Sequence, residues 1–342
     1  MSGASYKAAG VDIDAGNETV RRIKSIARGT FTPGVLSEIG SFGGLFSLGG
    51  GWTDPVLVSS ADGVGTKLKV AFMAGVHDTI GQDLVNHCVN DILVQGAVPL
   101  FFLDYLATGR LSPDVAEQIV TGLAAACRDN GCALLGGETA EMPGFYADGE
   151  YDVAGFIVGA VERARLIDGR AISPGDVLLG LPSVGLHTNG YSLARHIAFT
   201  TLGLRVDSHV AELGETIGAS LLRPHKSYLR AIRPLLAAGV VKGMAHITGG
   251  GLTDNVPRIL PEGTAAELAV GSWPVLPVFA WLAGAGDVPQ DDQYRAFNMG
   301  LGLVVAVSED NVANAIALLE QGGERVYQVG TIVPGRPGVA YV

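Results

Sequence analysis

Short apolar runs that break off at glycine recur along this chain: residues 56–60 lead into Asp62-Gly63-Val64-Gly65, residues 132–135 into Gly136-Gly137, and residues 244–247 into Gly249-Gly250-Gly251. Apolar runs of four or five residues bounded by turn signals have strand length, not helix length. Such a chain must build its sheets from short strands. Glycine supplies 49 of the 342 residues, about twice its usual share, and no G-X-Y period is present, so the glycines serve local backbone geometry.

Helical spacing lies between these runs. Val20, Ile23, Ile26 and Ala27 recur after the candidate cap Asn17, residues 78–95 read as a helix, and residues 113–130 form one opened by Ser112-Pro113 and closed by Gly131. Leu68, Val70 and Phe72 alternate with Lys67, Lys69 and Ala71, which predicts a strand there and makes the Asp62 turn a loop between strands. Further strands are expected at 99–107, 132–135 and 151–161. Later come helices near 191–201, 219–238 and from 252, strands at 177–181 and 244–247, and a closing strand, helix, strand over 302–307, 311–319 and 325–332. Charged residues 162–170 followed by Ser173-Pro174-Gly175-Asp176 put a domain boundary near 170, giving domains 1–170 and 171–342. Both halves mix helix and strand without a regular βαβ rhythm, so the fold class is α+β with two mixed α/β domains.

The formal net charge of −11 argues against nucleic acid as a partner, while leaving room for a small phosphorylated ligand held by a few local donors and a divalent cation. No stretch of 18 uncharged apolar residues exists, so no membrane span is expected. The first 16 residues lack the apolar core of a secretory signal, and a cytoplasmic location is expected. Cys88, Cys127 and Cys132 form no C-x-x-C pair and read as buried thiols. No Gly-Lys dipeptide occurs, which excludes a P-loop, and Gly63-Val64-Gly65 lacks the third glycine of a dinucleotide fingerprint.

Five strings carry candidate chemistry. Ser59 to Lys67 packs Asp62, Gly63, Gly65, Thr66 and Lys67 into one turn, the mixture that phosphate and Mg²⁺ require, although Asp-Gly alone is also a common hairpin turn. Asp83, His87, Asn90 and Asp91 line one helix stripe, either a solvated face or a ligand-bearing one. Gly136-Gly137-Glu138-Thr139 with Glu141 sets two acids in a glycine loop after a strand. His187 with Thr188 and Asn189, and His246 with Thr248, Gly249, Gly250 and Gly251, each precede an expected helix start suited to a phosphate.

These strings, together with Tyr6-Lys7-Ala8-Ala9-Gly10-Val11-Asp12, His77-Asp78-Thr79-Ile80-Gly81, Val89-Asn90-Asp91 and Phe101-Phe102-Leu103-Asp104-Tyr105, resemble the phosphoribosylformylglycinamidine cyclo-ligases over nearly the whole chain. The resemblance implies ATP-dependent closure of an imidazole ring on formylglycinamidine ribonucleotide, with ATP and Mg²⁺ as cofactors. It implies a homodimer whose N-terminal sheets pair into a barrel-like core. It places Asp62, Asp91 and Glu138 at the metal. Gly63, Gly65, Thr66, Lys67, Asn90, Gly136, Gly137 and Thr139 fall around the nucleotide, and Lys24 near ATP. Together with Lys24, His246 and Asp91 are the expected catalytic residues. His187, Asn189, Thr248, Gly249, Gly250 and Gly251 fall on the substrate. Asn86-His87 departs from the family pattern, and His87 is assigned to the helix surface; Pro224-His225 stands where the family usually has Pro-Thr. Among relatives of the wider superfamily, a selenophosphate synthetase is disfavoured because no cysteine precedes Cys88, and a hydrogenase-maturation protein because the C-terminal residues 337–342 contain none.

Overall fold

Asp12 accepts from the backbone N–H groups of Asp14 (3.1 Å) and Ala15 (3.3 Å) and so opens helix α1 (Ile13–Arg28) in a computed structural model that describes residues 10–342. Asp12, not the expected Asn17, is the cap: its oxygen meets N–H groups that the first turn leaves unpaired. Tyr6, Lys7, Ala8 and Ala9 of the opening block lie outside the described residues.

The chain divides into two units, residues 1–92 with 98–162 and residues 93–97 with 163–342. In the first unit, strands β1 (Pro55–Gly63), β2 (Val98–Thr108), β3 (Ala133–Glu141) and β4 (Tyr151–Glu162) form a sheet in the order β1-β4-β2-β3, antiparallel except for β2 with β3. Helices α2 (Leu68–Ala74), α3 (Asp78–Leu93) and α4 (Pro113–Asn130) complete the unit, with α1 packed on α4 and β3. Side chains of α3 reach the sheet where Gly155 and Gly159 lie: a Cβ there would strike Leu84 and Ile92. The opposite sheet face leaves Leu57 and Phe156 exposed.

Three expectations for this unit are corrected. Residues 68–74 form α2, not a strand, because the buried set Lys67, Leu68, Val70 and Ala71 has helical spacing once the lysine turns inward. The Asp62 turn is therefore a strand-to-helix turn, made through Gly65 at φ +67°, where a side chain would be strained. The expected loop at 136–141 continues β3, since Gly136 to Glu141 keep pairing with residues 103–108 of β2.

The second unit holds strands β5 (Val177–Pro182), β6 (His209–Val210), β7 (Glu215–Thr216), β8 (Val241–His246), β9 (Thr264–Leu268), β10 (Leu301–Val307), β11 (Tyr327–Pro334) and β12 (Val339–Tyr341). Six of them make a sheet in the order β12-β9-β11-β5-β10-β8, and β10, between β5 and the edge strand β8, is wholly buried. Its helices are α5 (Tyr191–Arg195), α6 (Ile217–Leu221), α7 (Leu229–Ala238), α8 (Gly251–Asn255), α9 (Pro277–Gly286), α10 (Gln290–Ala296) and α11 (Val312–Gln321). The helix expected over 219–238 is two, α6 and α7, because residues 222–228 carry Pro224 and leave helical geometry. Strands β6, β7, β9 and β12 and helices α9 and α10 have no counterpart among the elements expected from the sequence. No helix among the described residues is long and apolar enough to cross a membrane.

Candidate functional site

Alternation along β1 turns Ser60 and Asp62 to the helix-covered face of the sheet, and α3 brings Asp91 to the same place. Ser60 Oγ lies 3.1 Å from Asp62 Oδ2 and 3.1 Å from Asp91 Oδ2. His87, one turn before Asp91, points its Nε2 at Asp62 Oδ1 (3.5 Å) and Asp91 Oδ2 (3.8 Å). Burial, opposed by the Asp91 charge, lowers the His87 pKa, which favours a neutral ring beside the two acids. Two partly exposed carboxylates facing each other across one hydroxyl form a hard-oxygen pair that favours a divalent cation.

The stripe on α3 lies within the fold. It is not solvated: Asp83, His87 and Asn90 are all buried, so His87 does not belong to the helix surface. Lys67, expected beside phosphates, is fully buried and donates to Asp83 Oδ1 at 2.8 Å. Desolvation lowers its pKa, against the opposing pull of Asp83. Gly63 and Thr66 remain exposed at the turn.

Glu138 does not join Asp62 and Asp91. The sheet rows read Asp62, Gly155, Asp104, Gly137 and then Gly63, Ala154, Tyr105, Glu138, so Glu138 stands three strands away and on the other face. At about 4.8 Å per strand that separation is roughly 14 Å, too far for one ion. Glu138 instead lines a cleft of about 660 Å³ along the β3 edge, with Gly136, Gly137, Thr139, Asp104 and Tyr105. Helix α1 contributes Gly16, Val20, Ile23 and Ala27 to that cleft; Lys24 is exposed beside this stripe and not among the lining residues. Glu141 accepts from the N–H groups of Asp12 (2.6 Å) and Leu111 (2.8 Å), a structural use. Asp104 packs its carboxylate against Gly137, and burial pushes its pKa up to about 7.

In the second unit the two histidine strings meet. A Cβ on Gly249 would lie 3.3 Å from Asn189 Oδ1. Asn255 Nδ2 donates to the carbonyls of Thr248, Gly249 and Gly251. Trans peptide geometry then turns the N–H groups of Gly249, Gly250 and Leu252 away from Asn255. His187 adopts φ +64°, and its Nε2 accepts from Val184 N–H at 3.3 Å. His187 stacks on His225, with centroids 4.1 Å apart, and His225 Nε2 lies 3.0 Å from His246 Nε2. The helices after both strings, α5 and α8, have five residues each, so backbone N–H direction rather than a helix dipole is what they offer an anion.

Ser60, His87, Asp104 and His225 were not singled out as site residues in the sequence. Ser60 was findable as the i−2 strand neighbour of Asp62, and His87 as the i−4 helix neighbour of Asp91. Nothing in the sequence places Asp104 beside Gly137 or His225 beside His246.

Residues 49–161 match the N-terminal domain model of AIR synthase related proteins, and residues 173–342 the C-terminal one. The phosphoribosylformylglycinamidine cyclo-ligase of Trichlorobacter lovleyi is 56% identical over 330 residues, covering 96% of this chain and 95% of that protein. The one from Bifidobacterium animalis subsp. lactis is 54% identical over 331 residues, covering 96% of each. Among solved structures, thiamine-monophosphate kinase from Stenotrophomonas maltophilia superposes with a TM-score of 0.70 at 20% identity, covering 95% of both chains. Hydrogenase maturation protein HypE in complex with ATP gives 0.67 at 20% identity, covering 94% of this chain and 90% of that one. These two share the fold. Identity above one half along nearly the full length of both partners places the chain in the phosphoribosylformylglycinamidine cyclo-ligase family.

Proposed function

We propose that this chain catalyses ATP-dependent cyclisation of formylglycinamidine ribonucleotide to 5-aminoimidazole ribonucleotide, releasing ADP and phosphate, in de novo purine biosynthesis. The full-length identity to cyclo-ligases is the observation that carries this. The γ-phosphoryl group passes to the formamide oxygen and ADP leaves; the amidine-side nitrogen then attacks the formyl carbon, and the C–O bond breaks to expel phosphate. The protein's task is to fold the substrate so that nitrogen and carbon meet, and to hold the phosphates in line.

The first unit would bind the nucleotide. Asp62 and Asp91 would hold Mg²⁺, which when bound neutralises phosphate charge; the shared Ser60 hydroxyl and neutral His87 support this, as they leave the pair net negative. Asp91 belongs among the catalytic residues on that account. Gly63, Gly65 and Thr66 lie at the turn beside the pair, and the cleft bearing Gly136, Gly137 and Thr139 has room for a nucleotide. Lys24, exposed next to the cleft stripe, would approach ATP from α1, and Asn90 would shape the site from within the fold. In the second unit, His187, Asn189, His246 and Thr248 to Gly251 would hold the ribonucleotide, with the Gly249 and Gly250 N–H groups turned toward its phosphate. The exposed Leu57 and Phe156, the latter also lining that cleft, support pairing of two copies through this sheet face as a homodimer. Purine synthesis implies a cytoplasmic enzyme.

The test is an assay with substrate carrying ¹⁸O in the formyl group. The label should appear in the released phosphate, with one ADP per aminoimidazole ribonucleotide. Label in a persistent phosphorylated organic product would instead identify a kinase.

A further inference from the structure

Which nitrogen of His246 carries a proton depends on what its Nε2 meets, and it meets His225. Both rings are buried, 6% and 1% exposed, with the Nε2 atoms 3.0 Å apart. Two neutral imidazoles at that distance share one hydrogen, so one ring donates and the other accepts. The direction can be set upstream. Asn189 Nδ2 donates to Thr188 Oγ1 at 3.4 Å, and the same hydroxyl lies 3.3 Å from His225 Nδ1. A hydroxyl that accepts from Asn189 has its own hydrogen to give to His225 Nδ1. The His225 proton then sits on Nε2 and points at His246 Nε2, which leaves the His246 proton on Nδ1. Stacking of His187 on His225 at an interplanar angle of 24° fixes the plane along which that N–H points.

We propose that His225 is a positioning residue: through the chain Asn189, Thr188, His225, His246 it holds His246 as the Nδ1–H tautomer, so that His246 offers the ribonucleotide a donor rather than an acceptor. The inference rests on the reading of His246 as a substrate-side residue. It also couples Asn189, on the same side, to His246 without requiring direct contact between them.

The experiment is imidazole ¹⁵N NMR of the full-length protein labelled in histidine, near pH 8, with the His246 signals identified by their loss in His246→Gln. The wild type should show His246 protonated at Nδ1 with Nε2 accepting. In His225→Leu the tautomer should shift, with kcat falling roughly 10- to 100-fold and the KM for the ribonucleotide changing less than about threefold. His225→Gln, whose side-chain amide can donate to the same nitrogen, should restore the tautomer and most of kcat. Thr188→Val, which removes the upstream hydroxyl and keeps the shape, should shift the tautomer as His225→Leu does. An unchanged His246 tautomer in both His225→Leu and Thr188→Val overturns the proposal. A shifted tautomer with unchanged kcat overturns its catalytic half and, with it, the place of His246 in the reaction.

Discussion

Ser60 Oγ stands 3.1 Å from a carboxylate oxygen of Asp62 and 3.1 Å from one of Asp91, and it has a single hydrogen to give. Only one of the two acids can accept it at a time. Two like charges this close are unfavourable without a cation, and His87 supplies little relief because burial lowers its pKa. Asp91→Asn is therefore expected to lower turnover by at least about 10²–10³-fold, the usual cost of deleting a direct electrostatic contact to a reacting group. Calorimetric titration with Mg²⁺-ATP should show weakened binding in the same variant, with the circular dichroism unchanged. Near wild-type turnover in a folded Asp91→Asn protein would sink the assignment.

Lys67 and Asp83 form an ion pair with neither side chain accessible. Removing one partner strands the other charge in the interior, which costs roughly 3–5 kcal/mol, whereas an apolar replacement of both can be close to neutral. Asp83→Leu should therefore destabilise the protein severely in urea, and Lys67→Met with Asp83→Leu should recover most of the loss. The double variant should also keep much of its activity. A folded but inactive double variant would return Lys67 to the phosphates.

How far the sequence could be read depended on whether a pattern was local. Residues 113–130 carried their own Pro, helical period and glycine stop, and α4 has those bounds. The alternation at 67–72 misled because Lys67 was counted as polar and outward, and only its burial against Asp83, sixteen residues on, shows the helical period. The candidate site divides the same way. Asp62 and Asp91 were legible from residue type and do meet, while Glu138 looked equivalent as a third acid after a glycine strand. What separates it is sheet order, since β4 and β2 stand between β1 and β3, and strand order is not written in any one segment. His225 was visible only as a departure from a pattern, and its meaning came from a tertiary contact.

Gly81 on α3 and Gly122 on α4 bring the two helix backbones into direct contact. A Cβ on Gly122 would sit 2.0 Å from the Asp78 carbonyl oxygen, and one on Gly81 would sit 2.2 Å from the Leu123 nitrogen. Backbone cannot swing aside as a side chain does, so α3 must shift, and it carries Asp91. Gly122→Ala is expected to cost about 1–3 kcal/mol through overpacking despite the better helix propensity of alanine. Activity should fall more steeply than stability at a temperature where the variant remains folded. A Gly122→Ala protein as stable in urea as the wild type would show that the helices are not in this contact.

Asp104 gives the fold a pH dependence whose sign can be worked out. Burial raises its carboxyl from the ordinary 3.8 to about 7, so the folded state binds this proton more tightly than the unfolded chain. Its contribution to stability is complete below about pH 4 and is lost as the pH rises through about 7. Asp104→Asn replaces the acid with a neutral group of similar shape and removes that term at every pH. Relative to the wild type, the variant should thus gain roughly 1–3 kcal/mol on going from pH 5 to pH 8. Urea unfolding of both proteins across that range measures the difference. Parallel pH profiles for the two proteins would show that Asp104 titrates as an ordinary carboxylate and is ionised in the neutral enzyme.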